Sequence, residues 1–464
     1  MSYFDPAATS DPQLVNIPTA AVNVEVQLSQ PLKTIPSNFY GINIHPGSAK
    51  YEFANPALLK ALKPDSIRVM TRHRTDWLPN GTGLKIYLLS PSQNTYDWTE
   101  LDNLVNAITS IGAEPYLTLG FGPPHWLTGS TSLTDRKPPP PARLTQYADY
   151  MAAIVKHYAD QKNLKLRSVS IENEPENVGY AVDTYMQLAR LAQTKIRQAA
   201  PGIKIGGPST GYALWGQPDT SKLSFSQSTE LMHGASLPFD YFDWHVYSTS
   251  AETVLRTARF VKGLYGENFP LVISELNRDW RYSGPEAVLS KKNNTTWGSV
   301  SWMAYVYDNL QTLGVNQVFY FAWRENNLGL VDSRLEEARP NYFLLRAFTQ
   351  HLGRSRVKTI SSSPVIGCIA TSDNGLRMLV YNRVQIDVNV KLAGLQAGTF
   401  YSSAYGKDWI ENNKSLMSGA PPPEPAVVAH DSNDIVTIPA GGFVLAYTSN
   451  SPPNPPKPTL TIKP

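Results

Sequence analysis

SVSIENEP, residues 168–175, starts as an apolar run and ends abruptly in acids. Val169 and Ile171 alternate with serines, the period-2 pattern of a strand. The run then delivers Glu172, Asn173 and Glu174, with Glu176 one residue beyond Pro175. A carboxylate at the end of an apolar strand has a specific meaning in α/β proteins, whose chemistry collects at the carboxyl ends of strands.

The flanking sequence repeats the same unit. Candidate strands are YGINI (40–44), SIRVM (66–70), EPYLTLG (114–120), RSVSIEN (167–173), IKIGG (203–207), YFDWHVY (241–247), LVISE (271–275) and QVFYFAW (317–323). Between them, WTELDNLVNAITSIG (98–112), LTQYADYMAAIVKHYA (144–159) and VDTYMQLARLAQTKIRQAAPG (182–202) carry apolar residues at helical spacing. Eight strands alternating with helices predict an α/β fold, a (β/α)8 TIM barrel over residues 37–353. A doubly wound sheet is the alternative, but GINIHPG (41–47) lacks the GxGxxG phosphate loop that would follow its first strand.

After residue 353 the pattern changes. VKTISSS, VIGCIAT, LRMLVYN, DVNVKLA, GTFYSSAY, DIVTIPA and FVLAYTS are short runs between turn residues, without a convincing helix. They predict an all-β sandwich over 354–450. In the N-terminal segment 1–36, NVEVQL (23–28) reads as an edge strand able to join that sandwich, and the proline-rich tail 451–464 reads as a frayed end or linker.

Composition narrows the class. The chain has 464 residues, 42% hydrophobic, with 10 Trp and 24 Tyr, which is globular. A net charge of +3 without a basic run argues against a nucleic-acid partner. No window approaches the roughly 20 apolar residues of a membrane span. Cys368 is the one cysteine, so no intrachain disulfide forms. MSYFDPAATSDPQ lacks a signal-peptide pattern, which suits a cytoplasmic protein or an exported one whose signal is absent from this chain.

Reading the strand ends as a barrel mouth gathers Asn43 and His45, Arg68 with Arg72-His73-Arg74, His125 and Trp126, Asn173 and Glu174, His245 and Tyr247, Glu275, and Trp323 with Glu325. Glu174 closes one apolar strand and Glu275 another. Glycoside hydrolysis needs two such carboxyl groups, one protonated to release the leaving oxygen and one ionised. Trp126, Trp323, and Trp244 or Trp280 offer flat apolar faces beside the polar groups Asn173, His245 and Arg68, the make-up of a carbohydrate cleft. Glu176 reads as loop surface or the start of the next helix, Glu172 as a partner of Arg167 or Lys165, and Trp98 as a core residue between helix and barrel. Histidines 45, 73, 125 and 245 open a zinc reading, but there is no HxH pair on the first strand and no HExxH helix, so no cofactor is expected. His157 and His351 read as structural. Arg72-His73-Arg74 reads equally as a solvated face or as a contact to an acidic sugar.

These residues resemble the clan of retaining (β/α)8 glycoside hydrolases with catalytic glutamates on strands four and seven. Asn173-Glu174-Pro175 is similar to its NEP hallmark. The resemblance implies Glu174 as acid/base, Glu275 as nucleophile, and Asn173 on the sugar 2-hydroxyl. It further implies His245 beside the −1 subsite, Tyr247 on the nucleophile, Trp323 as an aromatic floor and Arg68 as a buttress. Within the clan, FDYFDWHVY (239–247), WRENNLGLVD (323–332), RPNYFLL (339–345) and the trailing β domain resemble family thirty-nine, which contains β-xylosidases, α-iduronidases and exopolysaccharide endoglycosidases. Glu176 stands where that family more often has Asn, and ENEPE is also similar to β-glucuronidase/heparanase-like and family-thirty enzymes. The expectation is a retaining glycosidase acting on an oligo- or polysaccharide, against the alternative of a non-catalytic carbohydrate-binding barrel.

Overall fold

The structure is a computed structural model that describes residues 17–44, 52–53, 56–71, 87–90, 95–121, 123, 125–128, 137–161, 166–211, 215–216, 222–281, 287–373, 375–395, 399–414 and 420–448. The chain divides into two units. One holds Ser37–Asn294 and Leu313–Arg334; the other holds, among the described residues, 17–36, Thr295–Thr312 and 335–448.

The first unit is a closed barrel of eight strands. After β1 (Val22–Pro31), which belongs to the second unit, these are β2 (Tyr40–Asn43), β3 (Ser66–Met70), β4 (Glu114–Leu119), β5 (Ser168–Ile171), β6 (Lys204–Thr210), β7 (Tyr241–Tyr247), β8 (Leu271–Asn277) and β9 (Gln317–Tyr320). Every neighbouring pair is parallel, and Val318 level with Tyr40 closes the ring. Parallel strands buried on both faces read as near-continuous apolar runs, and β3 is buried along its whole length.

Helices form where the apolar spacing demanded them. α1 (Pro56–Leu62), α2 (Thr99–Ser110), α3 (Leu144–Ala159) and α4 (Val182–Ala199) each bury one face; in α4 this includes Val182, Tyr185, Met186, Ala189 and Ile196. α5 (Phe225–Gly234) opens on a reciprocal Ser224–Gln227 capping box, and α6 (Ala251–Tyr265) on Ser250, which accepts from the Thr253 amide. Such a cap contributes about 1 kcal/mol. α5 occupies the stretch between β6 and β7. Trp98 does not sit in the core but, half-buried at the head of α2, stacks between Tyr96 and His157. His157 also pairs with Asp102 at 2.8 Å, a structural role.

The second unit is one continuous nine-stranded sheet curled around its own apolar core. Its strands are β1, β10 (Arg356–Ser361), β11 (Ile366–Thr371), β12 (Arg377–Asn382), β13 (Val388–Ala393), β14 (Thr399–Tyr405), β15 (Val428–Asp431), β16 (Ile435–Ile438) and β17 (Phe443–Tyr447). β1 is not an edge strand. It lies between β10, to which it runs antiparallel, and β13, to which it runs parallel. Val22, Val24 and Val26 point into the core while Asn23 and Glu25 face solvent, so the alternation was correct and only the position differs. Lys407–Asn413 forms a short helix where none was expected. α7 (Gly298–Leu313) and α8 (Pro340–Gln350) group largely with this sheet; Asp308 accepts from Arg356 at 2.6 Å and from the Tyr381 hydroxyl at 2.9 Å. Cys368 is buried, and burial pushes its thiol far above the ordinary range.

The proline-rich segment PPPEP (421–425) is latched in this unit by Glu424, which pairs with Arg346, accepts from the Tyr405 hydroxyl and lies 3.5 Å from His351 Nε2. Burial alone would raise this carboxyl, but the His351 and Arg346 contacts outweigh it and hold it down to about 2. A folded-state value below the unfolded one adds stability above about pH 4.3, which is lost as pH falls toward 2. We expect roughly 1.5–2 kcal/mol of this dependence to disappear in Glu424→Gln, read from urea midpoints between pH 7 and pH 3. An unchanged pH dependence in the variant would contradict the latch.

Candidate active site

Arg68, on β3, is fully buried at the centre of the barrel mouth. A buried guanidinium costs several kcal/mol unless its donors are matched. Here Nε donates to Thr118 Oγ1 at 2.8 Å, Nη1 to Asn43 Oδ1 at 2.9 Å and Glu275 Oε1 at 2.7 Å, and Nη2 to Asn173 Oδ1 at 2.5 Å. Nη2 also lies 3.3 Å from His245 Nε2. Burial works against the charge, but the Glu275 and Asp243 carboxylates more than restore it. One side chain thus ties together the ends of β2, β4, β5, β7 and β8.

Glu275 ends up with both oxygens engaged. Oε1 faces Arg68, and Oε2 accepts from the Tyr247 hydroxyl at 2.5 Å. Burial, then the Glu275 charge, push the Tyr247 phenol well up, so it stays a donor. His245 Nδ1 donates to Glu174 Oε1 at 3.0 Å and lies 3.5 Å from Glu275 Oε2. Asp243 was not singled out in the sequence, yet its Oδ2 accepts from Tyr116 at 2.7 Å and Ser209 at 2.5 Å inside the barrel. Strand parity groups Asp243, His245 and Tyr247 and could have found it.

The acids after β5 separate into three environments. Glu172 is fully buried and accepts from Tyr147 at 2.6 Å, Tyr180 at 3.1 Å and the Phe121 amide at 2.9 Å. It does not pair with Arg167, which lies beside Glu114, and Lys165 lies outside the described residues. A Cβ at Gly120, which has φ +132°, would sit 2.5 Å from Glu172 Oε2, so only glycine fits there. Glu174 Oε1 meets His245 and Oε2 accepts from Asn177 Nδ2 at 2.9 Å. Burial pushes the Glu174 carboxyl up, but the hydrogen bond and charge of His245, with Asn177 and Arg68, hold it below the usual range. Glu176, expected on loop surface or at the start of the next helix, does lie in the short helix Pro175–Val178, but it is buried, and its Oε1 accepts from the Gly211 amide at 2.5 Å. Burial, then the Glu174 charge, push it up to about 8. The backbone is left-handed at Glu172 (φ 66°), Glu174 (φ 45°) and Ser209 (φ 51°), each costing roughly 1–2 kcal/mol. Strain of this kind collects at functional sites.

The remaining expected residues divide. Trp323 is 2% exposed and donates through Nε1 to the Glu52 carbonyl at 3.1 Å. Glu325 Oε2 accepts from the amides of Asn327 and Leu328 and so shapes its own loop. Trp244 is buried in the barrel wall, and Trp280 is 62% exposed. His45, Arg72, His73 and Arg74, and the side chains of His125 and Trp126, lie outside the described residues.

One ligand atom from each of Glu174, His245 and Glu275 lies within 4.8 Å of the others. We read this cluster as a hydrogen-bonded acid–base set: the ring nitrogen already donates to Glu174, and the Arg68 guanidinium already meets Glu275. One oxygen of Glu174 and one of Glu275 thus stand within 4.8 Å of each other, below the roughly 6.5–9.5 Å that leaves room for an attacking water.

Comparison with known proteins agrees with this geometry. Residues 58–258 match the model of glycosyl hydrolases family 39. A β-xylosidase of Geobacillus stearothermophilus is 23% identical over 168 residues, 34% of this chain and 31% of that protein's length. The chain therefore matches under a third of that curated relative. Among solved structures, the fold is similar to a monomeric β-xylosidase from Caulobacter crescentus (TM-score 0.65, 16% identity, 92% of this chain and 99% of that one). It is similar as well to a family 30 endoxylanase from Clostridium papyrosolvens (TM-score 0.63, 15% identity, 92% and 100%).

Proposed function

We propose that this chain, whose barrel belongs to glycosyl hydrolase family 39, hydrolyses O-glycosidic bonds by double displacement with retention of configuration. The observation that carries the reading is the pair of carboxylates at the ends of β5 and β8, with oxygens within 4.8 Å of each other. Glu275 attacks the anomeric carbon. Its buttress of Arg68 and Tyr247 fixes both oxygens and aims the carboxylate. Glu174 protonates the departing oxygen, then takes a proton from the water that releases the sugar. Asn173 holds Arg68 through Oδ1, which turns its Nδ2 donor toward a substrate hydroxyl. The relatives named β-xylosidase make xylosides the first substrates to test.

Replacing Glu174 by Ala tests the acid/base role. With a poor leaving group, kcat/KM should fall by roughly 10²–10⁴. An activated aryl glycoside, which needs no protonation, should keep most of its glycosylation rate, and azide should give a glycosyl azide of retained configuration. Equal losses on both substrates would remove Glu174 from the role.

A further inference from the structure

A carboxyl held low in the free site is a ready base but a poor acid, and Glu174 must be both. The structure places a second carboxyl beside it. Glu176 is 7% exposed; its Oε1 takes the Gly211 amide, while its Oε2 is buried without a hydrogen-bond partner. Gly211, at the end of β6, abuts both groups: a Cβ there would sit 3.0 Å from Glu174 Oε1 and 3.3 Å from Glu176 Oε1. A Cβ at that position would press on both carboxyls, each of which would have to give by a few tenths of an ångström. An ionised carboxylate with one oxygen sealed from water and unpaired is costly, whereas a neutral carboxylic acid is far less so. Two carboxyls in one niche do not both ionise readily, and one proton then belongs to the pair.

We propose that Glu174 and Glu176 hold a single proton between them, with Glu176 as the positioning residue that keeps that proton available to the acid/base. The inference rests on Glu174 being the acid/base. In the resting site the proton sits on Glu176 and Glu174 is ionised beside His245. No hydrogen bond joins the two carboxyls in this arrangement, so the proton passes once a side-chain rotation or an intervening water connects them; Glu176 is then ionised and Glu174 protonated, and Glu174 gives the proton to the leaving oxygen. The proton drawn from water in the second step restores the pair, so none is gained or lost over the cycle. The charged and titratable groups around the pair are Tyr185 of α4 toward Glu176, and His245 and Tyr247 of β7, Arg68 of β3 and Glu275 of β8 toward Glu174; Thr210 and Gly211 of the β6 end face Glu176. The value of about 8 for Glu176 agrees with a neutral carboxyl in the resting site.

The test is the pH profile of kcat/KM on an aryl xyloside with a poor leaving group, for wild type, Glu176→Gln and Glu176→Asp. In wild type the alkaline limb marks loss of the pair's last proton. In Glu176→Gln that limb should move down by roughly one pH unit or more, since Glu174 then titrates alone. Glu176→Asp should recover most of the shift. A lowered plateau with an unmoved limb would make Glu176 merely structural and overturn the proposal, while leaving the leaving-group result for Glu174→Ala intact. Infrared difference spectra of the wild type need no variant. A carboxylic-acid C=O band that persists at pH 7 and bleaches near the alkaline limb supports the shared proton, and its absence at pH 7 overturns it.

Discussion

Glu275→Ala is expected to abolish turnover, with kcat falling on the order of 10⁵-fold, and azide is expected to restore reaction with inverted configuration. The first half follows from double displacement: without the carboxylate no glycosyl-enzyme forms, and Glu174 has no partner across the bond. Groups that act as a unit lose nearly everything when one is removed. The second half is more diagnostic. Removing the side chain opens space bounded by Arg68 and Tyr247, both donors that had been committed to the carboxylate. A small anion fits that space by charge and hydrogen bonding, and attacks the anomeric carbon from the side that Glu275 occupied. One displacement replaces two, so the product anomer, followed by NMR, inverts. A residual rate within tenfold of wild type would remove Glu275 from the chemistry.

Arg68→Met should be nearly as severe, and it should also cost stability. Methionine approximates the stem but returns nothing to Glu275, Asn43, Asn173 and Thr118, all of which the guanidinium satisfies. Breaking a buried ion pair by removing one partner costs about 3–5 kcal/mol, because the other charge stays buried. Activity should fall by roughly three orders of magnitude, since Glu275, Asn173 and His245 lose a common anchor. Arg68→Lys keeps the charge but not the planar fork, and should recover stability more than rate. Chemical denaturation and steady-state kinetics on the pair of variants separate the two effects; a Met variant as stable as wild type would contradict the network.

The barrel was legible because its signals are local. SIRVM and YFDWHVY emerge as strands with the bounds read from their alternation and apolar content. That Glu275 and Glu174 come together was legible because a carboxylate that ends an apolar run is unusual. What escaped depends on distant partners. Glu176 sits in an acidic cluster that reads as solvated, and only the end of β6, through Gly211, seals it. Glu172 is claimed by Tyr147 and Tyr180, two aromatic residues indistinguishable from ordinary core positions in the sequence. Trp244 was readable and misread: strand parity sets it opposite His245, in the wall instead of the cleft. The Lys407–Asn413 helix is too short to show a period.

The placement of β1 has a consequence for how the chain is made. Asn23 bonds to Ser362, a partner 339 positions later, and Val22 lies level with Val390. On a ribosome the barrel sequence emerges in full before either neighbour of β1 exists. Until then its alternating valines present two open edges, the kind of surface that recruits other strands. The sheet is the late, slow part of biogenesis, because the pairing of β1 with β10 and β13 joins segments that lie far apart in the chain.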